Sequence, residues 1–316
     1  MPALVTHYLF AQRVFSKLKK AGRPVADVET ALIGAQGPDI FFFHRVLPWE
    51  PGQSYARQGS RLHKISPAKL FEAFRTGVNK ETEQKDAALG YVEGFFCHYA
   101  LDRAVHPFVY YWQKVLARED PSYGSIPNQY HFRIESALDT IALRRETGRL
   151  IRDFPLNSVL PKRGDHDLVI GRLYQPIFQR LLNTPSATAR HIALAPGDMR
   201  QGTTLLTDRS LLKQKLLFRP LEKLVHKGAF ASSLLRPEDT GDWDYANESH
   251  AQWINPFDEA YVSTDSFFEL YDLAACEAAD MILEFQNALP AGKSMMDITQ
   301  DRGFASDLPG VYEDRL

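Results

Sequence analysis

The chain has 316 residues, of which 44% are hydrophobic and 24% charged, a composition typical of a folded globular protein rather than a disordered one. The formal net charge is −2, so the chain lacks the basic field of a nucleic-acid-binding protein, and no stable nucleic-acid partner is expected. Two cysteines, Cys97 and Cys276, are too few for a disulfide framework and fit a reducing compartment.

The N-terminus and the hydropathy of the chain favour a cytoplasmic location. Residues 1–20 contain no basic segment followed by a long apolar core, so they lack the pattern of a signal peptide. No run of about 18 apolar residues occurs, so no membrane-spanning helix is expected. We therefore expect a cytoplasmic protein.

Helical periodicity is the main structural signal, and it appears first in residues 87–105 and 130–154. Residues 87–105 carry apolar side chains at helical spacing and precede Pro107. In residues 130–154, Ile134 and Leu138 alternate with charged side chains in the same way. Both segments are predicted to be helices with one buried face.

Two further helices are predicted in the second half of the chain. Residues 211–230 have helical spacing around Pro220, and residues 263–289 show the clearest pattern. The N-cap of the second of these helices is expected within residues 263–265. No alternating apolar pattern is long enough to build a sheet, so the fold class is all-α, a multi-helix bundle.

The domain organisation follows from the same pattern. We expect a zinc-binding helical core in residues 1–155 and a proline-bearing loop near residues 153–159. Residues 156–290 are expected to continue this domain or to form a second helical lobe. Residues 291–316 are expected to be a loosely packed or disordered C-terminal tail.

Histidine and carboxylate side chains repeat at four-residue steps in two of the predicted helices. His98, Asp102 and His106 follow one another at this step in an apolar, aromatic segment, and His131 and Glu135 are spaced in the same way. Residues four apart lie on one face of a helix, so each helix presents these side chains together. Because buried polar groups are costly unless they are paired or bind a ligand, each set is either a metal site or a hydrogen-bond network.

Three more residues of the same types precede these helices, namely His7, Asp39 and His63. A single histidine or carboxylate of this kind is more often a core side chain whose hydrogen bonds are satisfied than a metal ligand. Together with the helical sets they make eight candidate ligands, which exceeds one tetrahedral shell and indicates more than one ion. Imidazole and carboxylate in combination favour zinc.

The order of these residues resembles that of the zinc-dependent phospholipase C family. The resemblance lies in GAQGPDIFFF around Asp39, FFCHYALDRAVHP around Asp102 and HFRIESALD around Glu135, and it covers about the first half of the chain. This family shares its fold with the secreted P1-type nucleases. The resemblance implies an all-helical fold of the phospholipase C/P1 nuclease type, here with a helical C-terminal extension, and a three-zinc cluster at the base of a cleft.

The resemblance also implies a ligand set for each zinc ion. Two of the sets consist of side chains alone: Asp39, His63, His98 and Asp102 for the first ion, and His106, His131 and Glu135 for the second. The third ion is implied to bind His7, the shared Asp102, and the amine and carbonyl of the N-terminal residue.

The chain departs from the family pattern in two places. The step from Asp102 to His106 is one helical turn, which is shorter than in the secreted enzymes, so the second site is expected to be reshaped. The secreted enzymes begin their mature chain with Trp, whereas this sequence starts with Met1 and Pro2. Removal of Met1 would give Pro2 a secondary amine for the third site, so two or three zinc ions are expected.

The resemblance implies phosphodiester hydrolysis, with a glycerophospholipid cleaved to diacylglycerol and a phosphorylated head group. Asp39 is expected to act as the general base, or to orient the attacking water, while it also contacts a zinc ion. One alternative is a single-strand nuclease or nucleotidase that uses the same metal site. The other is a non-catalytic protein with structural zinc, in which four protein ligands would close each site.

Two further segments bear on substrate and membrane contacts. Residues 44–61 lie between Asp39 and His63 and are expected to rim the cleft, but none is assigned to substrate binding. The basic segment 209–227 could contact an anionic membrane surface, although a solvated helix face explains it more simply. The expected partner is a phospholipid or another phosphodiester, with peripheral membrane contact as an option.

Overall fold

A computed structural model describes six stretches of the chain: residues 4–47, 49–120, 127–162, 164–207, 235–290 and 292–312. Eleven α-helices lie in these stretches: α1 (Leu4–Lys20), α2 (Val28–Gly34), α3 (Ala56–Leu62), α4 (Pro67–Lys80), α5 (Lys85–Glu119), α6 (Pro127–Thr147), α7 (His166–Arg180), α8 (Ala189–Ile192), α9 (Ala195–Leu206), α10 (Phe267–Ala288) and α11 (Met295–Thr299). The same stretches contain three short 3₁₀ helices: Gly37–Phe43, Ile151–Asp153 and Leu156–Val159.

The predicted all-α class is confirmed for these residues. The strands that the described stretches contain are β1 (Trp253–Ile254) and β2 (Val262–Ser263), which pair antiparallel with Trp253 opposite Ser263. None of the helices that the structure describes is both long enough and apolar enough to cross a membrane. The predicted helix at residues 211–230 lies outside the described part of the chain.

The 35-residue helix α5 is the central element of the fold. It packs against α1, α2, α6 and α10, and it extends beyond residues 87–105, through Pro107 to Glu119. Pro107 has no N–H to donate to the carbonyl of Arg103, which weakens the helix locally. Burial of Pro107 and Phe108 in the core supports the helix at this point, and α5 continues.

Close contact between α2 and α5 positions one part of the candidate site. A Cβ atom at Gly94 would lie 1.9 Å from the carbonyl oxygen of Ala31, and one at Gly34 would lie 2.0 Å from the carbonyl oxygen of Tyr91. Glycine at both positions lets the two backbones touch. Because α2 leads into the 3₁₀ helix that contains Asp39, this contact places that helix against α5.

Two predicted helix boundaries are corrected by the structure. α6 ends at Thr147, earlier than predicted, because Gly148 adopts a positive φ of 70° and stops the helix. α10 is capped by Ser266 and not within residues 263–265. Ser266 accepts a hydrogen bond from the backbone of Glu269, whose side chain accepts one in return, and this capping box defines the start of the helix.

The C-terminal end is packed, so the prediction of a loosely packed or disordered tail is wrong for the described residues 292–312. In this stretch α11 packs against α4, and Ile298 and Phe304 are buried. Asp301 accepts a hydrogen bond from the N–H of Ala68 at the start of α4. The polar composition of the tail conceals these long-range contacts, which is why the sequence pattern misled.

Helices from both halves of the chain share one hydrophobic core. α7 packs against α4 and α5, and α10 packs against α1 and α5. Buried apolar residues of all these helices belong to one continuous cluster. The first-half helices that carry the candidate ligands are therefore supported by helices of the second half.

Candidate metal centre

The eight histidine and carboxylate residues predicted from their spacing form one connected cluster, in which every member is buried or partly buried. Five elements supply them: α1 supplies His7, the 3₁₀ helix Gly37–Phe43 supplies Asp39, the end of α3 supplies His63, α5 supplies His98, Asp102 and His106, and α6 supplies His131 and Glu135. Residues as far apart as His7 and Glu135 thus meet in one region of the fold.

Asp102 lies at the middle of this cluster. Its Oδ1 is 3.2 Å from Nε2 of His7, and its Oδ2 is 3.1 Å from Nε2 of His98. The same Oδ2 lies 3.6 Å from Nε2 of His63 and 3.8 Å from Nδ1 of His106. One carboxylate therefore faces four imidazole rings, which come from three different helices or helix ends.

A second group of ligand atoms lies around Glu135. Its Oε1 is 3.2 Å from Nε2 of His131 and 3.8 Å from Nε2 of His106. His106, His131 and Glu135 each offer one ligand atom, and the three atoms lie within 4.8 Å of one another. Because His106 faces Asp102 with one nitrogen and Glu135 with the other, it joins the two groups.

Asp39 completes the first group, and a glycine makes room for it. Oδ1 of Asp39 is 3.4 Å from Nε2 of His63, and Asp39 also forms a potential metal-binding set with His7 and His98. Gly37 has a positive φ of 52°, and a Cβ atom there would lie 2.2 Å from the ring of His98. Glycine is therefore required at this turn, both for its backbone conformation and for the close approach.

Three of the histidines are oriented by a hydrogen bond from Nδ1 to an oxygen outside the ligand set. Nδ1 of His63 is 2.9 Å from the carbonyl oxygen of Gly59, Nδ1 of His106 is 3.0 Å from that of Phe304, and Nδ1 of His131 is 3.1 Å from the side-chain oxygen of Gln113. These oxygens only accept hydrogen bonds, so Nδ1 carries the proton in each ring. Nε2 is then the nitrogen available to a metal ion, an arrangement common among metal-binding histidines.

The other two histidines contain buried nitrogen atoms without a hydrogen-bond partner. Nδ1 of His7 and Nδ1 of His98 are both in this state, and the two rings stack at 4.3 Å. An unsatisfied buried polar group costs about 1–3 kcal/mol. Imidazole nitrogens and carboxylate oxygens of this number and burial fit zinc ions.

The electrostatic environment keeps both central carboxylates ionised. Burial alone would raise the pKa of Asp102, but His98 and His106 outweigh it and hold the pKa well below its usual range. Burial would likewise raise the pKa of Glu135, but His131 outweighs it and holds that pKa well below its usual range. Burial lowers the pKa of His106, but the charge of Asp102 and the contact with Glu135 raise it to about 9. The carboxylates are thus in the form that binds a cation, whereas His106 releases its Nε2 proton when it binds one.

The residues that orient the ligands were missed by the sequence analysis. Gly59 lies four residues before His63, and this spacing could have indicated it. Gln113 carries no signal of its own, although it lies on the same helix as His106. Phe304 contacts a ligand 198 residues away, and no local pattern predicts such a contact.

Aromatic residues near Asp39 and His63 occupy different environments. Phe41 is fully buried, with its ring 4.9 Å from that of Tyr174, so it belongs to the core. Phe42 is partly exposed and stacks on the ring of His63 at 6.0 Å. Trp49 is 64% exposed, so its ring lies at the surface and not in the core.

Two other predicted features cannot be placed. The N-terminal amine and carbonyl implied as ligands of a third ion belong to residues 1–3, outside the described part of the chain. The basic segment 209–227 considered for membrane contact is also outside it. His7 and Asp102, the side chains of that third set, are described and lie in contact.

Comparison of the chain with protein-family models, with curated proteins and with solved structures gives no match.

Proposed function

We propose that this chain is a zinc-dependent phosphodiester hydrolase of the phospholipase C type. The observation that carries this proposal is the convergence of five histidines and three carboxylates in one buried cluster. Three of these histidines donate Nδ1–H to an outer oxygen and turn Nε2 toward the carboxylates, as metal-binding histidines do. The all-α architecture is compatible with the phospholipase C/P1 nuclease fold.

The ligand sets are proposed from the two groups in the cluster: Asp39, His63, His98 and Asp102 for one zinc ion, and His106, His131 and Glu135 for a second. His7 and the shared Asp102 are proposed for a third ion. The second set has three protein ligands among the described residues. A four-coordinate zinc ion there would keep one position for water or substrate, which favours a catalytic over a structural role.

The chemistry follows from charge and proton transfer. When bound, zinc ions neutralise charge on phosphate oxygens and lower the pKa of water toward neutrality. Three carboxylates do not neutralise two or three dications, so the loaded centre attracts a phosphodiester anion. The carboxylate of Asp39, which is 3.4 Å from Nε2 of His63, accepts the proton of the attacking water. Asp102 holds the surrounding imidazole rings in position.

Accessible aromatic rings beside both ligand sets support a lipid substrate. Phe42 stacks on His63 at 6.0 Å, at the side of the first set. Tyr110 lies 5.1 Å from the ring of His131, and Phe257 lies 5.7 Å from Tyr110, at the side of the second set. These three aromatic rings are partly exposed, so they can contact apolar groups of a glycerophospholipid.

The proposal is tested by zinc analysis of the purified protein, followed by release assays on phosphodiesters. We expect two or three zinc ions per chain and release of a phosphorylated head group from phosphatidylcholine or a related lipid. Activity should disappear with a chelator and return with zinc. Full activity in the metal-free protein would refute the proposal. Cleavage of single-stranded nucleic acid without any lipid cleavage would replace the lipid by a nucleic acid as substrate.

Replacement of Asp39 separates its role as a base from its role as a ligand. Asp39→Asn keeps a carbonyl oxygen for zinc but cannot accept a proton, so we expect most of the zinc to remain and turnover to fall about 10²–10⁴-fold. Glu93→Gln is the matched control, because Glu93 is a buried carboxylate that binds Ala26 and Gln286 instead of the cluster. Near-normal turnover of zinc-loaded Asp39→Asn would remove Asp39 from the base role.

A further inference from the structure

The C-terminal segment, defined here as residues 299–312, lies along α5 beside the candidate ligands. Tyr99 of α5 anchors the start of the segment. Its hydroxyl donates to the carbonyl oxygen of Arg302 at 2.7 Å, and the carbonyl oxygen of Thr299 lies 3.2 Å from the same hydroxyl. Because Tyr99 directly follows His98, this anchor is adjacent to the ligand face of α5.

An ion pair anchors the segment one helical turn further along α5. Nε of Arg103, which follows Asp102, is 2.9 Å from Oδ1 of Asp307. Within the segment, Nη1 of Arg302 is 3.3 Å from Oδ2 of the same carboxylate. Arg103 is buried and Asp307 is 33% exposed, so this ion pair is partly shielded from solvent. The anchors at Tyr99 and Arg103 hold the segment against two successive turns of the helix.

Between these anchors the chain folds back tightly and buries Phe304. A Cβ atom at Gly303 would lie 1.9 Å from the carbonyl oxygen of Val311, so the two sides of the turn touch. The ring of Phe304 is fully buried and meets the rings of Tyr99 at 5.0 Å and His63 at 5.4 Å, both edge to face. Phe304 therefore forms one side of the first ligand set.

The backbone of Phe304 acts on the second ligand set. Its carbonyl oxygen accepts a hydrogen bond from Nδ1 of His106 at 3.0 Å, which leaves Nε2 of His106 facing Glu135 at 3.8 Å. Resting on the function proposed above, we propose that Phe304 is a positioning residue that orients His106 for the second zinc ion. The C-terminal segment then forms one side of the metal centre.

His106 and His63 differ in the hydrogen-bond acceptor that orients the ring. His63 donates Nδ1–H to Gly59, four residues away on its own helix, so local structure is enough to orient it. His106 uses a carbonyl 198 residues away, so its orientation depends on docking of the C-terminal segment. Loss of an outer hydrogen-bond partner typically weakens metal binding about 10–100-fold.

The test is Tyr99→Phe, which removes an anchor of the segment without touching a ligand. Tyr91→Phe is the matched control, since Tyr91 is also a buried tyrosine of α5 and its hydroxyl donates to Tyr174 at 2.9 Å. Zinc is titrated against a competing chelator in wild type and in both variants. We expect about tenfold weaker binding of one ion in Tyr99→Phe, with the remaining zinc unchanged, and wild-type binding in Tyr91→Phe.

A second measurement does not require zinc. In metal-free, ¹⁵N-histidine-labelled protein, the Nδ1–H proton of His106 should exchange slowly with solvent, and its signal is assigned by its loss in His106→Asn. We expect exchange to be at least about tenfold faster in Tyr99→Phe than in Tyr91→Phe, because the accepting carbonyl of Phe304 is released more often. Asp307→Asn, which removes the charge at the other anchor, should act in the same direction.

These two measurements separate the present proposal from the proposed function. Wild-type protein without zinc affinity would refute the proposed function, while proton exchange would still report on the contact between Phe304 and His106. The positioning role is wrong if Tyr99→Phe and Asp307→Asn match Tyr91→Phe in both measurements. It is also wrong if the anchor variants weaken all zinc ions equally, because Phe304 would then stabilise the whole fold and not one ligand.

Discussion

At the scale of single residues, Asp102 has the largest share of contacts in the candidate metal centre. Its carboxylate faces His7, His63, His98 and His106 at 3.1–3.8 Å. Glu135 faces His131 and His106, on the side of the second group. Loss of Asp102 should therefore disturb more than one ion, whereas loss of Glu135 should disturb one.

We predict that Asp102→Ala loses more zinc per chain than Glu135→Ala. Asp102 supplies negative charge between closely spaced dications, which repel each other strongly in a poorly screened interior. Asp102→Ala should also lower the melting temperature more than Glu135→Ala does, because the buried histidines around Asp102 lose their shared partner. Zinc content and thermal unfolding of the two variants provide the comparison. Equal losses of a single ion would show that Asp102 does not bridge, and no loss in either would leave only a hydrogen-bond network.

His44 is a buried titratable residue outside the metal centre. Its Nδ1 accepts a hydrogen bond from the N–H of Tyr55 at 3.0 Å, and its Nε2 is 3.0 Å from the carbonyl oxygen of His191. The two contacts specify the neutral ring, with the proton on Nε2. Burial lowers the pKa of His44 to about 4, with the nearby charges of His191 and Arg45 acting in the same direction.

We predict that His44 makes the protein less stable in mild acid. Because the folded pKa is below that of the unfolded chain, the unfolded state binds more protons, and stability is lost as the pH falls from about 6.5 to about 4. At about 1.4 kcal/mol per pKa unit, this loss is about 3 kcal/mol. Urea unfolding in the presence of a chelator, at a series of pH values, measures it. His44→Gln should have a flatter pH profile over this range, and an unchanged slope would contradict the assignment.

At the scale of elements, the contact between α1 and α6 decides whether His7 reaches the cluster. Oδ1 of Asp139 on α6 accepts hydrogen bonds from the N–H and the hydroxyl of Thr6 at 2.7 and 2.8 Å. The first N–H groups of a helix have no partner within it, so Asp139 caps α1 from a neighbouring helix. Its Oδ2 pairs with Nε of Arg236 at 2.8 Å, and both side chains are buried.

We predict that Asp139→Asn lowers the free energy of unfolding by about 3 kcal/mol, the range expected when a buried ion pair is broken. Glu146→Gln is the matched control, because Glu146 also joins α6 to α1, through a partly exposed ion pair with Arg13 at 3.0 Å. Such an exposed pair contributes about 1 kcal/mol or less. Urea unfolding of the two variants gives the comparison. Similar small losses in both would mean that Asp139 does not hold the helices together.

At the scale of the whole molecule, the candidate ligands connect five separate elements around α5. A zinc ion that binds these ligands stabilises the folded chain, in which they meet, and not the unfolded chain, in which they are dispersed. Because α7 and α10 share the core with the ligand-bearing helices, the effect should extend to the second half of the chain.

We predict that zinc raises the melting temperature of the complete chain and that a chelator lowers it. Free zinc at about a thousandfold excess over its Kd adds about 4 kcal/mol per site to the free energy of unfolding. Scanning calorimetry at several free zinc concentrations measures the dependence. Magnesium at the same concentrations is the control and should have little effect, since histidine-rich sites favour zinc. A melting temperature that is independent of zinc would argue against binding at this cluster.

The sequence by itself determined the all-α class and the eight members of the candidate metal centre. Helical periodicity and the four-residue steps of His98, Asp102 and His106 are local properties, and local spacing on a helix carries over directly into space. His131 and Glu135 were found for the same reason. The resemblance to the phospholipase C family added His7, Asp39 and His63 to specific ligand sets, and the assignment of ions to these sets is still a prediction.

Only the tertiary structure decided how these residues are arranged and what orients them. Three sets of contacts join parts of the chain that are distant in sequence. They are the contacts of Asp102 with the surrounding histidines, the hydrogen bonds from Thr6 to Asp139, and the hydrogen bond from His106 to the carbonyl of Phe304. The N-cap of α10 was predicted up to three residues too early, and the C-terminal segment was predicted to be loosely packed or disordered although it is packed. Long-range contacts depend on how helices pack, and packing leaves no periodic pattern in the sequence by which each partner could be identified.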